Sequence, residues 1–171
     1  MKERLAVWSL GFWAMGTAAV ALVASRSFAV VDRLLETLPN AAFAEAVLEI
    51  GSGPAREFLR YLSSEVNRTL FETWGWVQLP LGGLVLWLVW SVEPRRVRYG
   101  VAIMLGVAVV LAFALTPPIV DIGRSLDFVP RDPPPPLLRT FGLLHAGYSV
   151  LEFLKLGLGV LVSYWLIRLK D

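Results

Sequence analysis

Between Arg139 and Arg168 the chain is apolar enough to cross a bilayer, yet His145, Glu152 and Lys155 lie inside that stretch. An ionisable group near the bilayer midplane costs about 2.5 to 3.5 kcal/mol or more, so such groups normally point at other helices, water or a ligand. At about 3.6 residues per turn, Phe141, His145, Tyr148, Glu152, Lys155 and Gly159 fall on one stripe. Ser149 belongs to the same polar set, while Leu144, Val150, Leu151, Leu154, Leu158 and Leu161 cover much of the remaining surface. One face of this helix is therefore a face that lipid would reject.

Three further runs are long and apolar, and together they place the chain in the membrane. The 56% hydrophobic content, seven Trp and mean hydropathy of +0.62 exceed what a soluble domain of 171 residues needs. The expected fold class is all-α: a polytopic membrane four-helix bundle with spans at about 5–25, 73–92, 99–120 and 140–167, and an amphipathic helical extracytoplasmic loop over 26–72. The first run follows Met1-Lys2-Glu3-Arg4, an arrangement shared with secretory signals that would be cleaved near Ala19-Val20-Ala21. It is longer than a signal core and contains Trp8 and Trp13, so a retained helix is expected.

The segment from Arg26 to Glu72 mixes five Arg and seven acidic residues with Leu, Ala and Phe, a balance suited to the water interface. Asp32 to Leu38 and Ala41 to Ile50 read as helical, Gly51-Ser52-Gly53-Pro54 breaks the pattern, and Ala55 to Phe71 resumes it. Amphipathic helices on the membrane surface are the simplest reading, ahead of a partner-docking surface. Asn67-Arg68-Thr69 matches a glycosylation sequon, a triplet too common to weigh. In the second span, Trp74 and Trp76 near one end and Trp87 and Trp90 near the other suit two membrane interfaces. Pro80 should kink this span, and Gln78 with Gly82 and Gly83 offers either helix packing or a pathway past the freed backbone. Pro117-Pro118 is expected to end the third span, and Pro133 to Pro136 to form a stiff extended spacer within the loop 121–138.

Charge sets orientation and excludes several partners. Four spans put the N-terminus, the turn from Glu93 to Arg98 and the C-terminal Arg168-Leu169-Lys170-Asp171 on one side, with seven Lys or Arg; eight more on the other side are spread out and matched by acids. Both termini are thus expected in the cytoplasm of a cell with this protein in its plasma (inner) membrane. The 16 basic and 14 acidic residues gather into no basic face, so nucleic acid is not an expected partner; the bilayer is, with other membrane subunits or a second copy of the chain. Without cysteine there are no disulfides or thiolate sites, and a single histidine cannot build a metal site alone.

The polar stripe has three readings. In the structural one, Glu152 and Lys155 pair with each other and with neighbouring spans to hold the bundle in register. In the transport one, Glu152 titrates or binds a cation and His145 or Tyr148 relays protons for a small-solute carrier. In the cofactor one, His145 is an axial ligand to haem or a chlorin, the second ligand coming from another subunit. The sequence has no Gly-x-Ser-x-Gly, His-Glu-x-x-His or phosphate-loop motif, so no enzyme, catalytic residue, resident metal or cofactor is expected, and the leading reading is a non-catalytic accessory or interaction subunit.

Arg139-Thr140-Phe141-Gly142-Leu143-Leu144-His145-Ala146-Gly147-Tyr148-Ser149 resembles the Arg, Phe, Leu-His, Ser pattern that opens the last helix of the transmembrane-protein-205-like family. Leu38-Pro39 and Gly75-Trp76-Val77-Gln78 are similar in kind, so the resemblance covers the layout of most of the chain but about 15 residues in detail. It implies a four-helix membrane protein of a domain of unknown function, with eukaryotic relatives linked to drug resistance, and marks His145. Glu152 departs from it, standing where the family tends to carry Asn.

Overall fold

The computed structural model describes residues 1–92 and 94–168; Glu93 of the expected turn and 169–171 of the basic C-terminus lie outside the described residues. All elements among the described residues are helical: α1 (Lys2–Thr37), α2 (Ala41–Ile50), α3 (Ser52–Val89), α4 (Arg96–Val110), a π-helical turn (Leu111–Leu115), α5 (Thr116–Ser125) and α6 (Pro136–Arg168). Three helical stretches are long and apolar enough to cross a membrane: Lys2–Thr37, Arg96–Ser125 and Pro136–Arg168.

Local chemistry explains where these helices start and stop. The α1 helix ends where Leu38 enters the left-handed region at φ 42° and returns its N–H to Leu34 O, since Pro39 cannot continue the ladder. Asn40 then caps α2, its Oδ1 accepting from Phe43 N at 2.8 Å. Gly51, at φ 91°, turns the chain between α2 and α3 in a conformation most side chains avoid. The polar segment is thus built largely as helix: α1 extends through Asp32, and α3 starts at Ser52 and runs 38 residues through Pro80.

Pro117-Pro118 does not end the third long helix. The π turn at Leu111–Leu115 inserts an extra residue before Thr116, so both prolines fall in the first turn of α5, where a missing N–H breaks no ladder bond. Leu111 O accepts from the Thr116 N–H across the π turn and, at 2.8 Å, from Thr116 Oγ1 as well. The loop expected from residue 121 therefore begins after Ser125, and α6 starts at Pro136, the last of the four prolines.

The helices pack in two ways at two ends. At the end holding the start of α1, Ala6, Leu10, Val85, Val89, Val92, Val97, Val101, Val162 and Leu166 form an apolar cluster. Small residues permit this contact: a Cβ on Gly100 would stand 2.5 Å from Val162 Cγ2. The other end is held by polar groups. Asp32 meets Arg60 at 3.2 Å, and Asn67 Nδ2 donates to Ser27 Oγ at 2.9 Å, tying the second half of α1 to α3.

Candidate functional site

Where the apolar cluster gives way to the polar end, three helices meet on one buried amine. Lys155 is 1% exposed, and its Nζ is 2.7 Å from Glu152 Oε2, one turn earlier on α6. It also donates to Gln78 Oε1 on α3 and sits 5.7 Å from the centroid of the Trp13 ring on α1. Trp13 Nε1 donates to the same Gln78 oxygen at 2.8 Å. Two donors on one oxygen fix the amide's orientation, because a flipped Gln78 would face both with its own N–H groups. An amine with a paired charge, a neutral acceptor and an aromatic face is accommodated by protein, as a buried cation requires.

The polar stripe divides at this point. Lys155 and Tyr148 turn inward, the latter packing edge-on against Phe71 at 5.5 Å, whereas His145 is exposed and stacks on Phe141 at 6.0 Å. Ser149 donates to His145 O at 2.9 Å. Glu152 joins the two halves, with its side chain 12% exposed. Of the α3 candidates, Gln78 and Gly82 are buried, with Gly82 under Trp13 and Leu105; Pro80 and Gly83 face outward.

His145, Tyr148, Ser149 and Glu152 line one wall of a groove of about 820 Å³ between α1 and α6. Thr17, Ala18, Ala21, Leu22, Ser25 and Phe28 of α1 form the opposite wall, with Phe71 and Trp74 of α3 between them. The Glu152 carboxylate oxygens are buried beside Lys155 and the Tyr148 phenol, and Gln78 Nε2 donates no hydrogen bond among the described residues. The described residues include no group of three or more His, Asp or Glu placed to hold a metal ion.

Sequence reasoning missed two features. Trp13 was one more residue of an apolar run; its position in mid-span, away from the interfaces Trp favours, was the available signal. The second is an ion cluster at the polar end. Arg68 Nη1 and Nη2 grip Asp127 at 2.8 and 3.0 Å, Arg68 also meets Glu65 at 2.5 Å, and Arg124 reaches Glu65 at 3.2 Å. Hydrogen bonds from Arg124 and Arg68 hold the Glu65 carboxyl below its ordinary value, against a smaller upward push from burial. Asn67 of the sequon is buried and bonded within this region.

Comparison with protein-family models, with curated proteins and with solved structures returns no match.

Proposed function

We propose that the chain is a four-span integral membrane protein with a non-catalytic accessory or interaction role in the plasma membrane, both termini cytoplasmic. The fourth crossing is the second half of α3. Its end packs in the same cluster as Ala6 and Leu10 near the start of α1, its Trp74 donates to Thr17 at 3.1 Å, and Asn67 just before it meets Ser27, so it runs alongside α1. Trp74, Trp76, Trp87 and Trp90, together with Gln78 and Pro80, lower its hydropathy without adding charge. The clustering of Lys and Arg near the termini and the 93–98 turn supports the orientation. The resemblance to the transmembrane-protein-205-like family agrees with this layout.

The observation that carries the accessory reading is the internal use of Lys155. Its charge meets Glu152, it donates to Gln78 and it sits over the Trp13 ring, bracing three helices, so it works as a strut rather than as a carrier group. Native-mass measurement from mild detergent tests the role: a complex with other chains or a second copy is expected, and a lone monomer would refute it. A carrier reading draws on the groove that reaches Glu152. Glu152→Gln separates the two: a strut loses stability without a separate transport defect, whereas a carrier loses flux while assembly persists.

A further inference from the structure

The first four residues, the 93–98 turn and residues 168–171 carry seven basic residues against three acidic ones, whereas the segments 26–72 and 121–139 carry eight against ten. The cations of the two ends are also partnered differently. At the polar end Arg56 and Arg60 meet Asp32, and Arg68 and Arg124 meet Glu65. At the end holding the start of α1, cations rest on aromatic rings instead. Lys2 Nζ stands 5.1 Å from the centroid of Trp87, and the Arg96 guanidinium 5.1 Å from that of Trp165. The Arg98 guanidinium lies 5.4 Å from Trp90, to whose carbonyl its Nη1 also donates at 2.9 Å, and that of Arg168 lies 5.0 Å from Tyr164. None of these four cations has a carboxylate within ion-pair distance among the described residues.

The difference decides what each end can bind. A carboxylate cancels the charge of an arginine, whereas a ring face attracts the cation and steadies it without neutralising it, so the charge stays available to an anion. The rings also set depth. Trp and Tyr settle at the headgroup level of a bilayer, and Trp87, Trp90 and Tyr164 are all exposed. The cations they hold therefore stand at the level of lipid phosphates.

The four cations do not converge on one pocket. Lys2 and Trp87 bridge α1 to α3, Arg96 and Trp165 bridge α4 to α6, Arg98 reaches back from α4 to the end of α3, and Arg168 and Tyr164 share α6. Arg96 and Arg98 are two residues apart on one helix and so point to different sides. Separate single charges set around a bundle match many small anions lying in one plane, and a leaflet supplies those.

We propose that this end of the bundle is a collar that selects anionic phospholipids from the adjoining leaflet, each ring-held cation seating one phosphodiester headgroup. The proposal rests on the helices crossing the membrane and is independent of the accessory role.

The test uses the full chain in mild detergent, titrated with dioleoylphosphatidylglycerol or dioleoylphosphatidylcholine and followed by native mass spectrometry. Several phosphatidylglycerol adducts are expected, each favoured over phosphatidylcholine by at least about fivefold, the scale of one Lys or Arg acting on one anionic headgroup. Higher ionic strength should shrink that preference. Soluble glycerol phosphate, which has the phosphate without the membrane anchor, should not displace the lipid at equal concentration. Arg96→Gln, Arg98→Gln and Arg168→Gln together should bring the two lipids close to parity in a protein of unchanged helical content, and Arg56→Gln with Arg60→Gln at the other end should leave the preference intact. Lys2→Gln and Trp87→Leu, the second of which keeps every cation, should each remove one adduct and decide the matter should the triple variant not fold. Equal binding of the two lipids, a preference that survives the triple variant and both single ones, or displacement by glycerol phosphate would each overturn the proposal. Carbonate extraction of membranes separates the two levels: a protein retained in the membrane but without lipid preference refutes the collar alone, and one released by carbonate refutes the spanning reading with it.

Discussion

Replacing Lys155 by Met keeps the length and much of the volume of the side chain while deleting its charge, so the loss it causes is electrostatic rather than a cavity. Three contacts go at once: the ion pair with Glu152 at 2.7 Å, the donor to Gln78 and the cation above Trp13. The last of these is worth about 0.5 to 2 kcal/mol. Most of the loss comes from the Glu152 carboxylate, left buried and unpaired; removing one partner of a buried pair costs about 3 to 5 kcal/mol. Neutralising the orphan should recover most of that. Lys155→Met with Glu152→Gln is therefore expected within about 2 kcal/mol of the parent, a coupling of at least about 2 kcal/mol between the sites. Reversible unfolding in mixed micelles, with sodium dodecyl sulfate as denaturant and circular dichroism as the signal, measures all four corners of the cycle. Additive losses, or a single variant within about 1 kcal/mol of the parent, would show that the pair is not the strut described above.

Two glycines on α1 give a matched pair. A Cβ on Gly16 would run into the Trp74 indole, whereas one on Gly11 meets nothing within 4 Å. Gly11→Ala should be neutral or stabilise by up to about 1 kcal/mol, and Gly16→Ala should cost about 1 to 3 kcal/mol in the same unfolding assay. Arg68→Lys keeps the charge but loses the two-pronged grip on Asp127, and is expected to cost about 1.5 to 3 kcal/mol. Acid should loosen the polar end: the Glu65 value is lowered by folding, so its contribution is present above its unfolded value of 4.5 and is lost as pH falls through the lower folded value. Protease cleavage in the loop between α5 and α6 should therefore rise only below about pH 4.5, and Arg124→Ala should move that onset upward.

What could be read in the sequence was what depends on local periodicity. The apolar runs, the helical segment from Ala41 to Ile50 and the stripe through Tyr148, Glu152 and Lys155 follow helical spacing, and helices appear there. The partners of that stripe were not legible, because they arrive from far along the chain. Gln78 is 77 residues from Lys155, Trp13 is 65 from Gln78, and Arg68 is 59 from Asp127. Pro117-Pro118 misled for a different reason: a proline stops a helix only when its missing N–H and its ring meet a preceding turn, and the π turn at Leu111–Leu115 removed that conflict.

The two ends of the bundle are held by forces of opposite character, and the groove lies between them. The apolar cluster near the start of α1 depends on close packing, which lipid cannot replace because every side chain must find a fitted neighbour. The polar end depends on ion pairs and hydrogen bonds that tie α1 to α3 through Asp32 and Asn67, and α3 to the α5 end through Arg68. α1 and α3 are thus joined at both ends, whereas α1 and α6 meet directly at the apolar end and where the Lys155 amine sits over the Trp13 ring. The Trp13, Gln78 and Lys155 contacts hold α1, α3 and α6 together at the depth between the two ends, since each of them would break if the helices spread.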